Sequence, residues 1–217
     1  MNRLKQVSLA LATVGVLASS MAQAALEDKG GGLIYDSALN ITWLKDANYA
    51  KTSGYDADGL MNGSAADTWA ANLVYHDSVR SVDYDDWRLP ATPVWGIGYN
   101  YTNSEMGHMF YNNMEASAGS SILSGTNAAN LALFTNLQSY YYWSGTGADI
   151  YYPGTAWFFV TANGYQTYDQ RSYEFHAWAV RDGNVAAVPE PGAYALLLAG
   201  LGLLGVVARR RKQEWAV

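Results

Sequence analysis

The chain has 217 residues, a formal net charge of −6 and no cysteine. Disulfides, thiol nucleophiles and thiolate metal sites are therefore excluded, and the acidic balance argues against nucleic acid as a partner, because phosphate neutralisation needs a basic surface. Aromatic residues make up 14% of the sequence, with 8 Trp and 17 Tyr, a composition suited to packed β structure.

Residues 1–24 read as a secretory signal peptide: Arg3 and Lys5 form a basic start, residues 7–18 an apolar core, and Ala22-Gln23-Ala24 a small-x-small cleavage site. The alternative, a first transmembrane helix, needs a longer apolar run. Export would leave a mature chain beginning near Ala25. The two ends of the sequence hold six of its 13 basic residues but only one of its 19 acidic residues. The body therefore carries seven cations against eighteen acids, a net charge of −11.

The body shows no internal repeat and no second domain boundary. Gly30-Gly31-Gly32 is a flexible lead-in to a strand over 33–35, a turn at Asp36-Ser37 and a strand over 41–44. Ser64 with Asp67 has the form of a helix cap, and Ala66, Trp69, Ala70, Leu73 and Val74 then fall on one helical face. A second helix is predicted from Ser104, where Glu105 favours the positive end of the dipole and Met106, Met109, Phe110 and Met114 form the apolar stripe. Gly107 inside it costs about 1 kcal/mol relative to Ala, so close packing is expected at that point.

Residues 116–130, rich in Ala, Ser, Gly and Asn, read as a loop. Strands follow over 140–144 and 156–161, the second apolar on both faces. Asn163-Gly164 predicts a hairpin turn into a strand over 165–168. The segment 173–181 closes the sheet, with Phe175, Ala177 and Ala179 on one side and His176, Trp178 and Val180 on the other. Helices that are segregated from the strands predict an α+β fold with two helices and a mainly antiparallel sheet.

The carboxyl-terminal end combines Val188-Pro189-Glu190-Pro191, an uncharged apolar run over 192–208, and the cluster Arg209-Arg210-Arg211-Lys212. At about 1.5 Å per residue the run spans roughly 25 Å, enough for a short transmembrane helix. The cations would stay on the cytoplasmic side and leave the body outside. Gly200-x-Gly202-x-x-Gly205 matches a dinucleotide fingerprint as a string, but no strand precedes it, so the match is discarded. The order of motifs over 188–212 resembles the PEP-CTERM sorting signal of Gram-negative bacteria. That resemblance implies Pro189, Glu190, Pro191, Arg209, Arg210 and Arg211 as the sorting motif and an exosortase as partner. It also implies transient anchoring in the inner membrane and delivery to the cell surface or extracellular matrix. The alternative is a permanent carboxyl-terminal anchor.

Within the body, Asp86-Trp87-Arg88-Leu89-Pro90, Tyr142-Trp143-Ser144-Gly145-Thr146, Ala156-Trp157-Phe158-Phe159 and Ala177-Trp178-Ala179-Val180-Arg181 occur in order. Together with Thr42-Trp43-Leu44-Lys45-Asp46-Ala47-Asn48 and Ser104-Glu105-Met106-Gly107-His108, the series resembles the family named after the C-terminal domain of the collagen-like adhesin Lcl. The likeness covers residues 31–183. It departs after Pro90, where Trp95-Gly96-Ile97-Gly98-Tyr99-Asn100-Tyr101 is inserted. The resemblance implies one C-type-lectin-like domain of the formylglycine-generating-enzyme type, with chain ends close together and a role in adhesion or polysaccharide contact.

Trp87, Arg88, Trp143, Trp178 and Arg181 are read as a structural group, with the arginines held by Asp86 or Asp182. The other reading is a guanidinium among indoles that grips a partner's carboxylate. The candidate ligand surface is Trp95, Tyr99 and Tyr101, joined by Tyr151 and Tyr152, because loop aromatics stack on sugar faces. His76, His108 and His176 are scattered without a ligand pattern, and Asp56-Ala57-Asp58 and Asp83-Tyr84-Asp85-Asp86 read as solvated turns rather than calcium loops. No catalytic residue, metal or cofactor is assigned. The expected function is non-catalytic binding of extracellular polysaccharide or a surface protein; the alternative is a secreted hydrolase of polysaccharide using a carboxylate pair.

Overall fold

The computed structural model describes residues 26–93, 96–150, 152–186 and Ala199. Three strands open the body: β1 (Leu26–Asp28), β2 (Leu33–Asp36) and β3 (Ile41–Leu44). Helix α1 (Tyr49–Thr52) leads to β4 (Leu60–Asn62), helix α2 (Gly63–Ala71) and the antiparallel pair β5 (Tyr75–Asp77) and β6 (Val82–Tyr84). Helix α3 (Glu105–His108) continues into a π-helical turn over Met109–Asn113. A 3-10 turn at Ile122–Ser124 and helix α4 (Ala128–Leu131) follow. The second half supplies β7 (Tyr141–Gly147), β8 (Thr155–Val160), β9 (Tyr165–Gln170), β10 (Glu174–His176) and β11 (Val180–Asp182).

These elements make an α+β fold with mainly antiparallel sheets. One sheet has the order β1-β2-β3-β11 and a second the order β4-β10-β7-β8-β9. The single parallel contact among the described strands joins β10 to β7 at His176 and Tyr142. Strand β8 is buried along its whole length, in line with the apolar run from Ala156 to Val160. Strand β7 shifts register between Trp143 and Gly147. Into that irregularity the Trp-Arg-Leu-Pro segment is pinned, since Gly145 N and Ser144 Oγ both donate to the Pro90 carbonyl.

The core is aromatic. Trp43, Trp143, Trp157 and Trp178 are among the largest fully buried side chains. Trp43 and Trp178 lie 4.7 Å apart between ring centroids, and Phe134 meets Trp178 edge-on at 5.0 Å. Aromatic pairs of this kind contribute about 0.5–1.5 kcal/mol each beyond their buried area. Two of these indoles place their N–H on backbone carbonyls: Trp143 donates to the Met61 carbonyl at 2.8 Å and Trp178 to the Leu44 carbonyl at 2.7 Å.

Several expectations change on contact with the structure. The segment 173–181 is two strands in two sheets, not one closing strand: β10 belongs to the second sheet and β11 to the first. Residues 175–180 are all buried because this stretch crosses between the sheets. Asn62, not Ser64, caps α2, accepting from Ala65 N at 2.9 Å. The helix therefore starts two residues earlier than expected, and its first residue, Gly63, donates its N–H to the Arg171 carbonyl. Val74 is exposed, since α2 ends at Ala71 and the helical face does not reach it. Residues 116–130 contain a 3-10 turn and the start of α4 rather than one loop. The Asn163-Gly164 hairpin pairs Val160 with Tyr165, which makes it a four-residue connection with Gly164 at φ 82°.

The second predicted helix has its cap as expected: Ser104 Oγ accepts from Gly107 N. Met106, Met109, Phe110 and Met114 are all buried. Gly107 is needed because a Cβ there would overlap the Tyr101 carbonyl. Among the described residues no helix is long and apolar enough to cross a membrane. The predicted signal peptide over 1–24 and transmembrane run over 192–208 lie outside the described residues.

The two ends of the body meet at one side chain. Arg80 Nη2 donates to the Lys29 carbonyl at 2.7 Å and Nε to the Ala186 carbonyl at 2.6 Å. Its charge is matched by Asp77, which is fully buried.

Candidate functional site

The two arginines of the group read as structural are both paired with carboxylates in a charged band beside β11. Arg88 grips Glu105 with two bonds of 2.7 Å and also reaches Asp182 at 2.6 Å. These carboxylates hold its guanidinium above its ordinary pKa against the opposing effect of burial. Arg181 holds Asp86 with bonds of 2.7 and 2.8 Å and stacks over the Tyr84 ring at 4.4 Å. The Arg181 hydrogen bond keeps the Asp86 carboxyl below the usual range. Trp87 is buried and donates to the Tyr84 carbonyl. Glu105 is the partner that sequence reasoning missed: its distance of 17 residues from Arg88 leaves no local signal. With both arginines held by carboxylates of the body itself, this band has little to offer a partner.

Among the described residues, the loop aromatics Tyr99, Tyr101 and Tyr152 pack in separate places. Tyr99 stands edge-on to Tyr165 at 4.9 Å, near the start of β9, where Gly98 bridges Gln166. Tyr101 is half-buried, and its ring fills the space above Gly96. Tyr152 is exposed and lies 5.9 Å from Tyr168, three residues further along the same strand, or about 10 Å away. Trp95 and Tyr151 lie outside the described residues.

A different set of aromatics does converge. Tyr140, Tyr141, Phe158, Tyr173 and Phe175, with Asp169, line a groove of about 330 Å³. Its walls are Tyr140, 42% exposed, and Tyr173, 51% exposed. Its floor is buried Phe175, whose ring lies parallel to Tyr173 with centroids 6.0 Å apart and 4.9 Å from Tyr141. Strand pairing explains the assembly: β10 lies beside β7, and β8 joins β7 on the other side, so three segments distant in sequence supply one surface. The exposed Asp169 carboxylate adds an acceptor at the rim.

Beside the groove lies a polar cleft of about 390 Å³, bordered by α1, the loop before β4, the segment before β7, and β10. Lys51, Asp58, Gln138 and His176 face it. His176 is buried, and its Nδ1 sits 3.0 Å from the Gly59 carbonyl. A carbonyl only accepts, so Nδ1 carries the proton and Nε2 is left as an acceptor. Burial pushes the imidazole pKa down, outweighing the Gly59 hydrogen bond that favours the charged form. Tyr140 joins the two sites: its ring is a wall of the groove and lies edge-on to His176 at 5.8 Å.

The acidic turns are occupied locally. Asp56 Oδ1 accepts from Asp58 N and Gly59 N, and Asp83 pairs with His76 at 2.6 Å. Among the described residues no three His, Asp or Glu side chains gather as a metal ion would need. His108 lies 3.9 Å from the fully buried Asp36, which Asn113 also bonds at 2.7 Å.

Residues 187–212 match the PEP-CTERM protein-sorting motif. The chain is therefore an exported protein targeted to an exosortase, and it passes through a membrane-anchored sorting intermediate. Pro189, Glu190, Pro191 and the Arg209-Arg210-Arg211 cluster all fall inside the matched segment. No curated protein and no solved structure matches the chain. The lectin-like expectation for residues 31–183 thus rests on its motifs alone.

Proposed function

We propose that the body is a non-catalytic module that holds extracellular polysaccharide, weakly and through repeated contacts, at the cell surface or in the biofilm matrix. One observation carries this reading: two exposed tyrosine rings stand over a buried aromatic floor with a carboxylate at the rim. Pyranose rings present apolar C–H faces that pack on aromatic side chains, while their hydroxyls need acceptors such as Asp169. Tyrosine serves such surfaces well because its body is apolar and its tip is polar. The export signal supports the reading, since it brings the groove to where such polymers are found. A lectin-like fold for residues 31–183 and a role in adhesion are parts of the same proposal.

The test is retention on a polysaccharide array by the mature protein recovered outside cells, with a hydrolysis assay on the same glycans. Retention that Tyr173→Ala and Tyr140→Ala each abolish supports the groove. Turnover without retention replaces it with the hydrolase reading. Retention unaffected by either variant moves the contact elsewhere on the molecule.

A further inference from the structure

We infer that the cleft between α1 and β10 is a second subsite that seats one neutral pyranose residue through adjacent hydroxyls, next to the residue stacked on Tyr140. The inference rests on the polysaccharide reading above and names the sugar class that the site selects. The volume, about 390 Å³, falls within the usual range of small-molecule sites.

The lining decides the ligand. Among the described residues Lys51 is the one cation outside any ion pair; the other six body cations all have carboxylate partners. It faces the same cleft as the Asp58 carboxylate, one oxygen of which accepts from Leu60 N. A single cation opposed by a single carboxylate gives a cleft with no net charge. That argues against phosphate, sulfate and uronate, whose charge would meet Asp58 as well as Lys51.

Around this pair stand neutral acceptors and amides. His176 offers Nε2, and Gln138 keeps its carbonyl oxygen while its Nε2 donates to the Asn136 carbonyl at 2.8 Å. Asn48 lines the cleft at 5% exposure, and its Oδ1 has no partner. Gly59, at φ 81°, leaves room for that amide, since any Cβ there would overlap it. A hydroxyl both donates and accepts, so vicinal hydroxyls suit a wall that alternates an ammonium with carboxylate, imidazole and amide acceptors. Tyr140 lines the groove and its ring lies edge-on to His176 of the cleft, so a sugar stacked on Tyr140 has its neighbour beside the cleft.

Saturation-transfer NMR on the mature exported protein tests this with glucose, galactose, mannose, glucuronate and inorganic phosphate as probes. At about 10 mM even a site with Kd near 1 mM would be mostly filled. The expected result is transfer to at least one neutral sugar, weakened about tenfold or more by Lys51→Ala and by Gln138→Ala, with melting unchanged. Tyr173→Ala is expected to lose the polymer and keep the monosaccharide. No transfer to any neutral sugar, tighter binding of glucuronate or phosphate, or indifference to both cleft variants overturns the inference. Polymer binding that needs Tyr173 but ignores Lys51 leaves the groove standing without the cleft. Monosaccharide binding that needs Lys51, with no polymer retained, does the reverse.

Discussion

The band around Arg88 and Arg181 and the rim around Tyr140 are assembled from the same materials, rings and charges at the edge of a sheet. They differ in what is left over. In the band, both guanidiniums are paired with carboxylates, Arg88 with Glu105 and Asp182 and Arg181 with Asp86, and the neighbouring Trp87 is buried. At the rim, Tyr140 and Tyr173 stay exposed and Lys51 pairs with no carboxylate among the described residues. Residue type alone therefore does not separate scaffold from binding surface. Unspent contact capacity does, and it becomes visible only when the strands are in register.

Four measurements bear on this contrast. Trp178→Ala removes the indole that touches Trp43, Phe134 and Tyr142, and is expected to cost about 3–5 kcal/mol in urea unfolding. A loss below about 1 kcal/mol would mean that the buried indoles are not what holds the sheets together. Gly107→Ala gains about 1 kcal/mol of helix propensity but drives a Cβ into the Tyr101 carbonyl. The net expectation is destabilisation by about 1–3 kcal/mol, and a stabilised variant would contradict the close approach.

His176 gives a pH signature. Its folded pKa is depressed by burial, so above about pH 6.5 the ring is neutral in both states and contributes no slope. As pH falls below that value the unfolded chain takes the proton first, and stability is lost until the folded pKa is passed. His176→Gln is expected to show a shallower fall in Tm between about pH 7 and about pH 5. Parallel curves for the two proteins would remove His176 as the source. Tyr173→Ala, half exposed, is expected to move stability by no more than about 0.5 kcal/mol while losing polysaccharide. A large stability loss there would place Tyr173 with the scaffold.

Local pattern carried much of the fold. The apolar runs at β3 and β8, the Ser104 cap and the methionine stripe are all short-range signals, and each forms as its pattern dictates. The crossing between β10 and β11 was illegible because Phe175 to Val180 alternates without a break, so nothing in the string marks where one sheet yields to the other. The groove was missed for a related reason. Tyr140 and Tyr173 stand next to apolar strand runs and look like strand ends, whereas Tyr99 lies in a loop and yet its ring packs on Tyr165. The cleft draws Lys51, Gln138 and His176 from three separate segments, and no spacing rule links them.

Arg80 has a mechanical meaning. Ala186, whose carbonyl it holds, directly precedes the matched sorting segment at 187–212. While the tail is gripped by the membrane, any pull transmitted through it arrives at a buried guanidinium shared with Lys29 and Asp77. One side chain thus ties both extremities of the body together right beside the start of the sorting segment.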